Sequence, residues 1–549
     1  MTAGEFDNLT TLADALVMQA GQQPDATALI VPKRRIASGW QDERWSYSEL
    51  NELTDRLAAG LQKHGLGQGT RVAFMVPPSL EFFALFFAMF KAGCVPVLID
   101  PGIGIKPLKT CLGEAQPEAF VGVTRAQVAR MVLGWARDSI KTVVTVGPRP
   151  LWRGLRYRDL LNADPQDFSA PEIDREDEAG IVFTSGSTGI PKGVVFRHRM
   201  FVGQVELMRA NFGMHPGEVD LPTFPPFALF DPALGMTTVI PVMDFTRPAK
   251  ADPDMLVNLM ETYGVTNVFG SPALMETLSR HVAASDIRLP GIKRMLSAGA
   301  PVPPAVIERM HPALDESADI HTPYGATEAL PVASVAGREL VGELSDGNRS
   351  GKGICVGRPL EGNEVRIIPV SDRAVELLEY AGEVGDGEIG EICVVGPTVT
   401  ETYWQRDEQT RLAKMVDARG RIWHRMGDLG WRDGEGRIWF CGRKSERVVT
   451  ANATLFTECV EGPVNAVGGV FRSALVGVGE KGRQEPVMVV EAEPDADRQT
   501  VEAAVREVLA RNSDTAGIRR VLFHDGFPVD IRHNAKIRRR QLAQWAAGA

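Results

Sequence analysis

Ile181-Val-Phe-Thr-Ser-Gly-Ser-Thr-Gly-Ile-Pro-Lys-Gly-Val-Val195 decides how this chain is read. An apolar strand enters it, a hydroxyl- and glycine-rich turn follows, and a Pro-Lys-Gly exit leads into a second apolar strand. Thr184, Ser185, Ser187 and Thr188 offer hydroxyl donors, while Gly186, Gly189 and Gly193 let backbone N–H groups come close to an anion. Lys192 adds a point charge. These are the parts of a polyphosphate grip, without the Gly-x4-Gly-Lys-Ser/Thr spacing of a Walker A loop. A solvent-exposed Ser/Gly turn is the bland alternative, and the flanking strands with the Pro-Lys-Gly exit weigh against it.

The chain around this turn is long enough for several folding units. Its 549 residues are 44% hydrophobic and 24% charged, ordinary values for a soluble globular protein. The formal charge of −10 invites neither nucleic acid nor an anionic membrane, so an anionic substrate needs a local basic site. Six cysteines lack CxxC spacing, which argues against a zinc site or a disulfide framework and places the protein in the reducing cytoplasm. The N-terminus has no signal-peptide pattern. The run Phe82–Phe90 is shorter than the ~20 residues of a membrane helix and reads as a buried helix.

In chain order, Ser46-Tyr-Ser-Glu is a capping box opening an amphipathic helix with Leu50, Leu53, Leu57 and Leu61 on one face. Arg71–Val76, Val95–Ile99, Ala119–Val123 and Thr142–Val146 read as strands, with a helix over Leu80–Lys91, giving a parallel sheet covered by helices. Gln166–Glu178 is polar and reads as a surface linker. Asp220-Leu-Pro-Thr-Phe-Pro-Pro-Phe-Ala-Leu-Phe-Asp-Pro-Ala-Leu-Gly235 is too rich in proline for a long helix. Val265–Phe269 and Met295–Ala298 are further strands. Gly385–Gly390 and Gly477–Gly482 both satisfy G-x-G-x-x-G, but each runs into a strand pattern where a dinucleotide site needs a helix. The last hundred residues read as a small α+β unit, with strands Ser473–Val478 and Val487–Glu493 and a helix Gln499–Leu509.

Thr184–Gly193 resembles the phosphate loop of the adenylate-forming superfamily of acyl-CoA synthetases, adenylation domains and luciferases. The resemblance implies an α/β fold: a large N-terminal domain of helix-covered β-sheets, residues 1–442, and a small α+β domain, 443–549, on a hinge at Lys444 or Ser445. It implies ATP and Mg2+ as cofactors. Ser297-Ala-Gly299-Ala300-Pro301 then resembles the segment along the adenine. In Tyr324-Gly325-Ala326-Thr327-Glu328, Tyr324 would stack on adenine, Thr327 would bond the α-phosphate, and Glu328, with Thr184, would hold Mg2+. Asp428 of His424-Arg-Met-Gly-Asp-Leu-Gly430 would hold the ribose hydroxyls, and Arg443 would reach ribose or phosphate; a turn-capping aspartate is the alternative for Asp428. Phe227, Ala228 and Phe230 either gate an acyl pocket or fill core. Lys536 would bind the carboxylate and α-phosphate, where composition alone suggests a solvated lysine. Arg538–Arg540 read as a charged helix face.

After the hinge, Asn452-Ala-Thr-Leu-Phe-Thr-Glu-Cys-Val-Glu461 departs from the Gly-x-x-Ile-x-Pro-x-Glu-Ile-Glu of CoA ligases. Asn452 stands at the glycine position, Phe456 and Thr457 replace the approach to Pro, and Cys459 replaces Glu. With the 220–235 stretch and Gly526-Phe-Pro-Val-Asp-Ile-Arg-His-Asn-Ala-Lys-Ile537, this resembles one branch, the β-lactone synthetases of bacterial long-chain olefin biosynthesis. That branch implies a β-hydroxy fatty acid whose own hydroxyl displaces AMP. It also implies other pathway enzymes as partners, an α/β-hydrolase-fold decarboxylase and an NADPH-dependent reductase. A long-chain fatty acyl-CoA synthetase and an inactive nucleotide-binding scaffold are the competing readings. The base for the hydroxyl stays open: His198, His321 and His424 lie near motifs, and packing explains each equally.

Overall fold

The computed structural model describes residues 8–36, 39–149, 152–184, 191–342, 344–529 and 537–549. Seven strands form one sheet in the order Leu155–Arg156, Thr142–Val146, Ala119–Val123, Arg71–Met75, Val95–Ile99, Glu178–Phe183, Gly193–Arg197. All neighbours are parallel except the last pair. The strands expected from apolar runs are therefore present, and the antiparallel pair at the edge is the one that flanks the Thr184 turn.

A second, fourteen-stranded sheet has a parallel centre of Thr237–Val239, Val219–Pro222, Asn267–Gly270, Arg294–Ser297 and Asp319–Ala326. It continues antiparallel through Ala329–Ala336 and Ile354–Pro359 into Ile438–Arg443, Ile422–Arg432, Gly390–Val395 and Glu364–Ile368. The helix Leu80–Lys91 is buried at every position from Phe82 to Lys91. It belongs to one core with Val72 and Phe74 of the first sheet and Leu29, Phe269 and Leu296 of the second. A helix apolar all round is what such an enclosed position requires. No described helix is long and apolar enough to cross a membrane.

The Ser46 capping box opens the helix Tyr47–Lys63 as expected. Gly390 begins the strand Gly390–Val395 and Gly477 lies inside Val470–Val478, so neither G-x-G-x-x-G opens a helix. The linker before the phosphate turn is held to the surface by Gln62, whose Nε2 donates to Ser169 O at 2.7 Å, and by Gln68, which donates to Glu172 O at 2.8 Å.

Toward the C-terminus, Val470–Val478, Glu485–Ala492 and Arg520–Phe523 form a three-stranded sheet. Leu475, Met488 and Val490 face the helix Arg498–Ala510 through Val501, Val505 and Leu509, while Ala474, Val476, Val487 and Val489 pack with Leu542 and Ala546 of Arg539–Gly548. This is the period-2 alternation of a sheet covered on both faces. The turn at Asn452 is closed by Thr450 Oγ1, which accepts from Asn452 N at 3.2 Å and Ala453 N at 2.9 Å. Asn452 is not among the residues with positive φ, so this turn forms without the left-handed backbone a glycine would serve.

One expectation is corrected. Arg538 and Arg540 are exposed, but Arg539 is not part of a solvated charged face. Its guanidinium donates to Glu461 Oε2 at 2.8 Å and to Glu446 Oε2 at 3.1 Å. Glu461, 3% exposed, also accepts from Leu475 N at 2.7 Å. Removing one partner of such a pair leaves a buried charge uncompensated. Arg539→Ala should therefore cost about 3–5 kcal/mol, read as an earlier first transition in urea unfolding of the full chain; an unchanged midpoint would contradict the role given to this pair.

Candidate nucleotide and acyl site

Thr184 follows the strand Glu178–Phe183, and its N–H donates to Lys192 O at 3.0 Å. Ser185, Gly186, Ser187, Thr188 and Gly189 lie outside the described residues. The base of the turn is packed closely: a side chain on Gly193 would meet Ile181, Phe183 and Trp404 at 3.0–3.2 Å. Gly193 O accepts from Trp404 N at 2.7 Å, and Val194 bridges Tyr403. These contacts bring Tyr403 to the turn.

Tyr403 then joins two of the expected residues. Lys192 Nζ stands 4.7 Å from the Tyr403 ring centroid, and the Tyr403 hydroxyl donates to Glu328 Oε1 at 2.7 Å. Thr327 and Glu328 form the two-residue turn between Asp319–Ala326 and Ala329–Ala336. Thr400 fixes that turn from behind, since its N and Oγ1 donate to Glu328 O at 2.9 and 3.1 Å. Gly325 admits no side chain, because a Cβ would lie 2.6 Å from Ala329 O. Burial lowers the Lys192 ammonium below its ordinary range, and attraction to Glu328 opposes that shift.

Lys414 was not anticipated. Its Nζ donates to Thr400 O and to Thr400 Oγ1, the latter at 3.3 Å. Burial pushes this lysine down to about 7, against the pull of Glu328 and Glu401. Its cross-strand partner is His424. Burial holds His424 well below the usual histidine range, with Lys414 adding to the effect. His198, packed edge-on to Phe90, is pushed down by burial to about 4, and burial also lowers His321 beside Phe212. All three histidines are thereby neutral at pH 7.

A second constellation lies along the same sheet. Tyr324 OH donates to Asp428 Oδ2 at 2.7 Å, and Asp428 pairs in register with Arg443. Arg443 Nη1 is 2.7 Å from Asp428 Oδ1 as an ion pair, yet no well-directed hydrogen bond reaches that buried oxygen. The contact there is an ion pair without hydrogen-bond alignment. Burial raises the Asp428 carboxyl above its ordinary range, opposed by Arg443 and by the Tyr324 bond. Met426, where a threonine is common, is buried in the sheet core with Ile392, Val394 and Tyr324.

Gly299, Ala300 and Pro301 leave the carboxyl end of Arg294–Ser297, next to the parallel strand that carries Tyr324. Gly299 has φ +96°, and the buried Ser297 Oγ just before it lacks a partner. In the proline-rich stretch only two four-residue helices form, Pro225–Ala228 and Asp231–Leu234. Phe227 stacks on Phe269 at 4.1 Å, while Ala228 and Phe230 are buried in the central core. Lys536 lies outside the described residues; on either side of its segment Val529 and Ile537 pair in an antiparallel bridge, and Arg538 N donates to Pro528 O at 2.8 Å.

Among the described residues no three His, Cys, Asp or Glu side chains gather as a metal site. Glu328 and Thr184 instead offer hard oxygen donors of the kind that share Mg2+ with phosphate oxygens.

One tyrosine, Tyr403, thus ties the half-buried Lys192 to the acidic Glu328 turn on an α/β scaffold. The chain belongs to the adenylate-forming, AMP-binding enzyme family: the family model described as "AMP-binding enzyme" matches residues 16–404. It is 51% identical to the olefin beta-lactone synthetase of Xanthomonas campestris pv. campestris, with 99% of both chains covered. It is 49% identical to the olefin beta-lactone synthetase of Stenotrophomonas maltophilia, covering 98% of each. The ATP-bound MatB of Rhodopseudomonas palustris superposes with a TM-score of 0.78 over 98% of this chain and 99% of its own, at 22% identity, a likeness of fold.

Proposed function

We propose that this enzyme activates a long-chain β-hydroxy fatty acid with ATP and closes it to a β-lactone. The observation that carries this reading is the near-full-length identity of about half the residues to two olefin beta-lactone synthetases. In the first half-reaction a carboxylate oxygen attacks the α-phosphorus and the bond to pyrophosphate breaks. Lys192, Lys536 and the Thr184–Gly189 turn offset the phosphate charge, Thr327 bonds the α-phosphate, and Tyr403 holds the Glu328 carboxylate in place. When bound, Mg2+ supplies further charge neutralisation, held by Glu328 and Thr184. Asp428 and Arg443 orient the ribose, and Tyr324 with Gly299–Pro301 flanks the adenine.

In the second half-reaction the β-hydroxyl oxygen attacks the acyl carbon, the C–O bond to AMP breaks, and the hydroxyl proton passes to solvent. No thiol is needed. The Thr450-closed turn at Asn452, in place of the glycine-bearing segment of CoA ligases, supports that route. Residues 443–549 act as the small domain, hinged at Lys444 or Ser445, that delivers Lys536. A cytoplasmic location and cooperation with a decarboxylase and a reductase of the same pathway belong to this proposal.

Protein given ATP, Mg2+ and a β-hydroxy acid without CoA should yield one AMP and one pyrophosphate per lactone, the product lighter than the acid by one water in its mass spectrum. Formation of the CoA thioester alone, strictly when CoA is added, would reject lactone closure and favour the acyl-CoA synthetase reading.

A further inference from the structure

The segment assigned to the acyl pocket is bracketed by two aspartates, Asp220 before it and Asp231 after it, and each is 2% exposed. Asp220 lies in Val219–Pro222 as the register partner of Thr238, and Thr238 Oγ1 donates to Asp231 Oδ2 at 2.9 Å. The Asp220 and Asp231 carboxyls lie close to each other, on either side of Thr238. Carboxylates only accept, so two neighbouring carboxyls can bond each other only while one of the pair keeps a proton. Asp220 Oδ2 is buried with no hydrogen-bond partner.

Neighbouring polar groups are committed elsewhere. The Tyr47 hydroxyl donates to Met236 O at 2.7 Å, and Arg294 is held by Glu218, with Nη2 3.2 Å from Glu218 Oε1, and by Asn267. Lys293 and His215 also pair with Glu218. Burial raises both carboxyls above their ordinary range, and the closeness of Asp220 raises Asp231 further. Between the aspartates, Thr223 N and Oγ1 donate to Phe269 O at 2.9 and 2.8 Å, and Phe227 stacks on the Phe269 ring.

We propose that Asp220 and Asp231 form a clasp, closed by one shared proton and buttressed by Thr238, that positions the gate residues Phe227, Ala228 and Phe230 and so sets which acyl chains enter. A buried pair of acids is costly in an ordinary core. Here it ties the two ends of an irregular, proline-rich segment that has no regular ladder of its own. The inference rests on the acyl-pocket reading of that segment; both aspartates act through the gate and are positioning residues.

The test compares Asp231→Ala with Asp231→Asn in pyrophosphate release, measuring KM for acids of graded chain length and KM for ATP. Asn can still bond Asp220 and Thr238. Asp231→Ala should raise KM for the preferred long-chain acid at least tenfold and flatten the chain-length preference, with KM for ATP changed less than twofold. Asp231→Asn should restore the acid KM to within threefold of wild type. Should Asp231→Ala fail to fold, Thr238→Val, which removes the donor to Asp231 at nearly constant volume, is read in the same assay, where a threefold or greater rise confined to the acid KM is expected. Equal changes in both KM values, no change in either, or an Asn variant as impaired as the Ala variant would overturn the clasp. Wild-type enzyme inactive with every β-hydroxy acid would overturn the parent function as well, whereas active wild type with flat variants overturns the clasp alone.

Discussion

Glu328→Gln is expected to slow pyrophosphate release by about a hundred- to a thousandfold at saturating ATP and acid, the range seen when one preorganised electrostatic contact to a transition state is removed. Glutamine keeps the size of the side chain and an oxygen for the Tyr403 hydroxyl, which now donates at 2.7 Å, so the turn stays pinned. The main chain keeps its two bonds from Thr400. What disappears is the negative charge that, on the proposed reading, would hold Mg2+ against the phosphates. The expected signature is a fall in rate with a raised Mg2+ requirement and unchanged thermal stability. Wild-type rates at ordinary Mg2+ would remove Glu328 from the chemistry.

Asp428→Asn should act on nucleotide binding. Asparagine retains an acceptor for Tyr324 but loses the charge that faces Arg443 and that the proposed ribose contact would use. Hydrogen bonds to charged groups contribute about 1.5–3 kcal/mol, so KM for ATP should rise about 10- to 150-fold while KM for the acid changes little. Initial-rate kinetics in both substrates check this. A KM for ATP that does not move would leave Asp428 as a structural partner of Tyr324 and Arg443 within its strand.

The parallel sheet and the buried helix were legible because each rests on local pattern: short apolar runs separated by helix-length stretches, and an apolar block too short for a bilayer. The Tyr324–Glu328 and Asp428 motifs were legible as chemistry, but their fastening was not. Tyr403 meets Glu328 across 75 residues, and Lys414 works through Thr400, which in turn holds Glu328 across 72. Nothing in the local pattern around Gly396-Pro-Thr-Val-Thr-Glu-Thr-Tyr-Trp404 announces those contacts, though a tyrosine-tryptophan pair just beyond a Gly-Glu-Ile strand was a usable signal. Arg539 was misjudged for a related reason. Three consecutive arginines favour a solvated surface by composition, and only the fold brings Glu461, 78 positions earlier, against the middle one.

That same arginine has a mechanical consequence. Arg539 binds Glu446, at the end of the short Lys444–Glu446 turn, and it stands three positions beyond Lys536. The tail helix is thus bolted to that turn as well as to its own sheet. A swing about the hinge proposed at Lys444 or Ser445 would carry the tail as a lever, delivering or withdrawing Lys536 in step with the rotation.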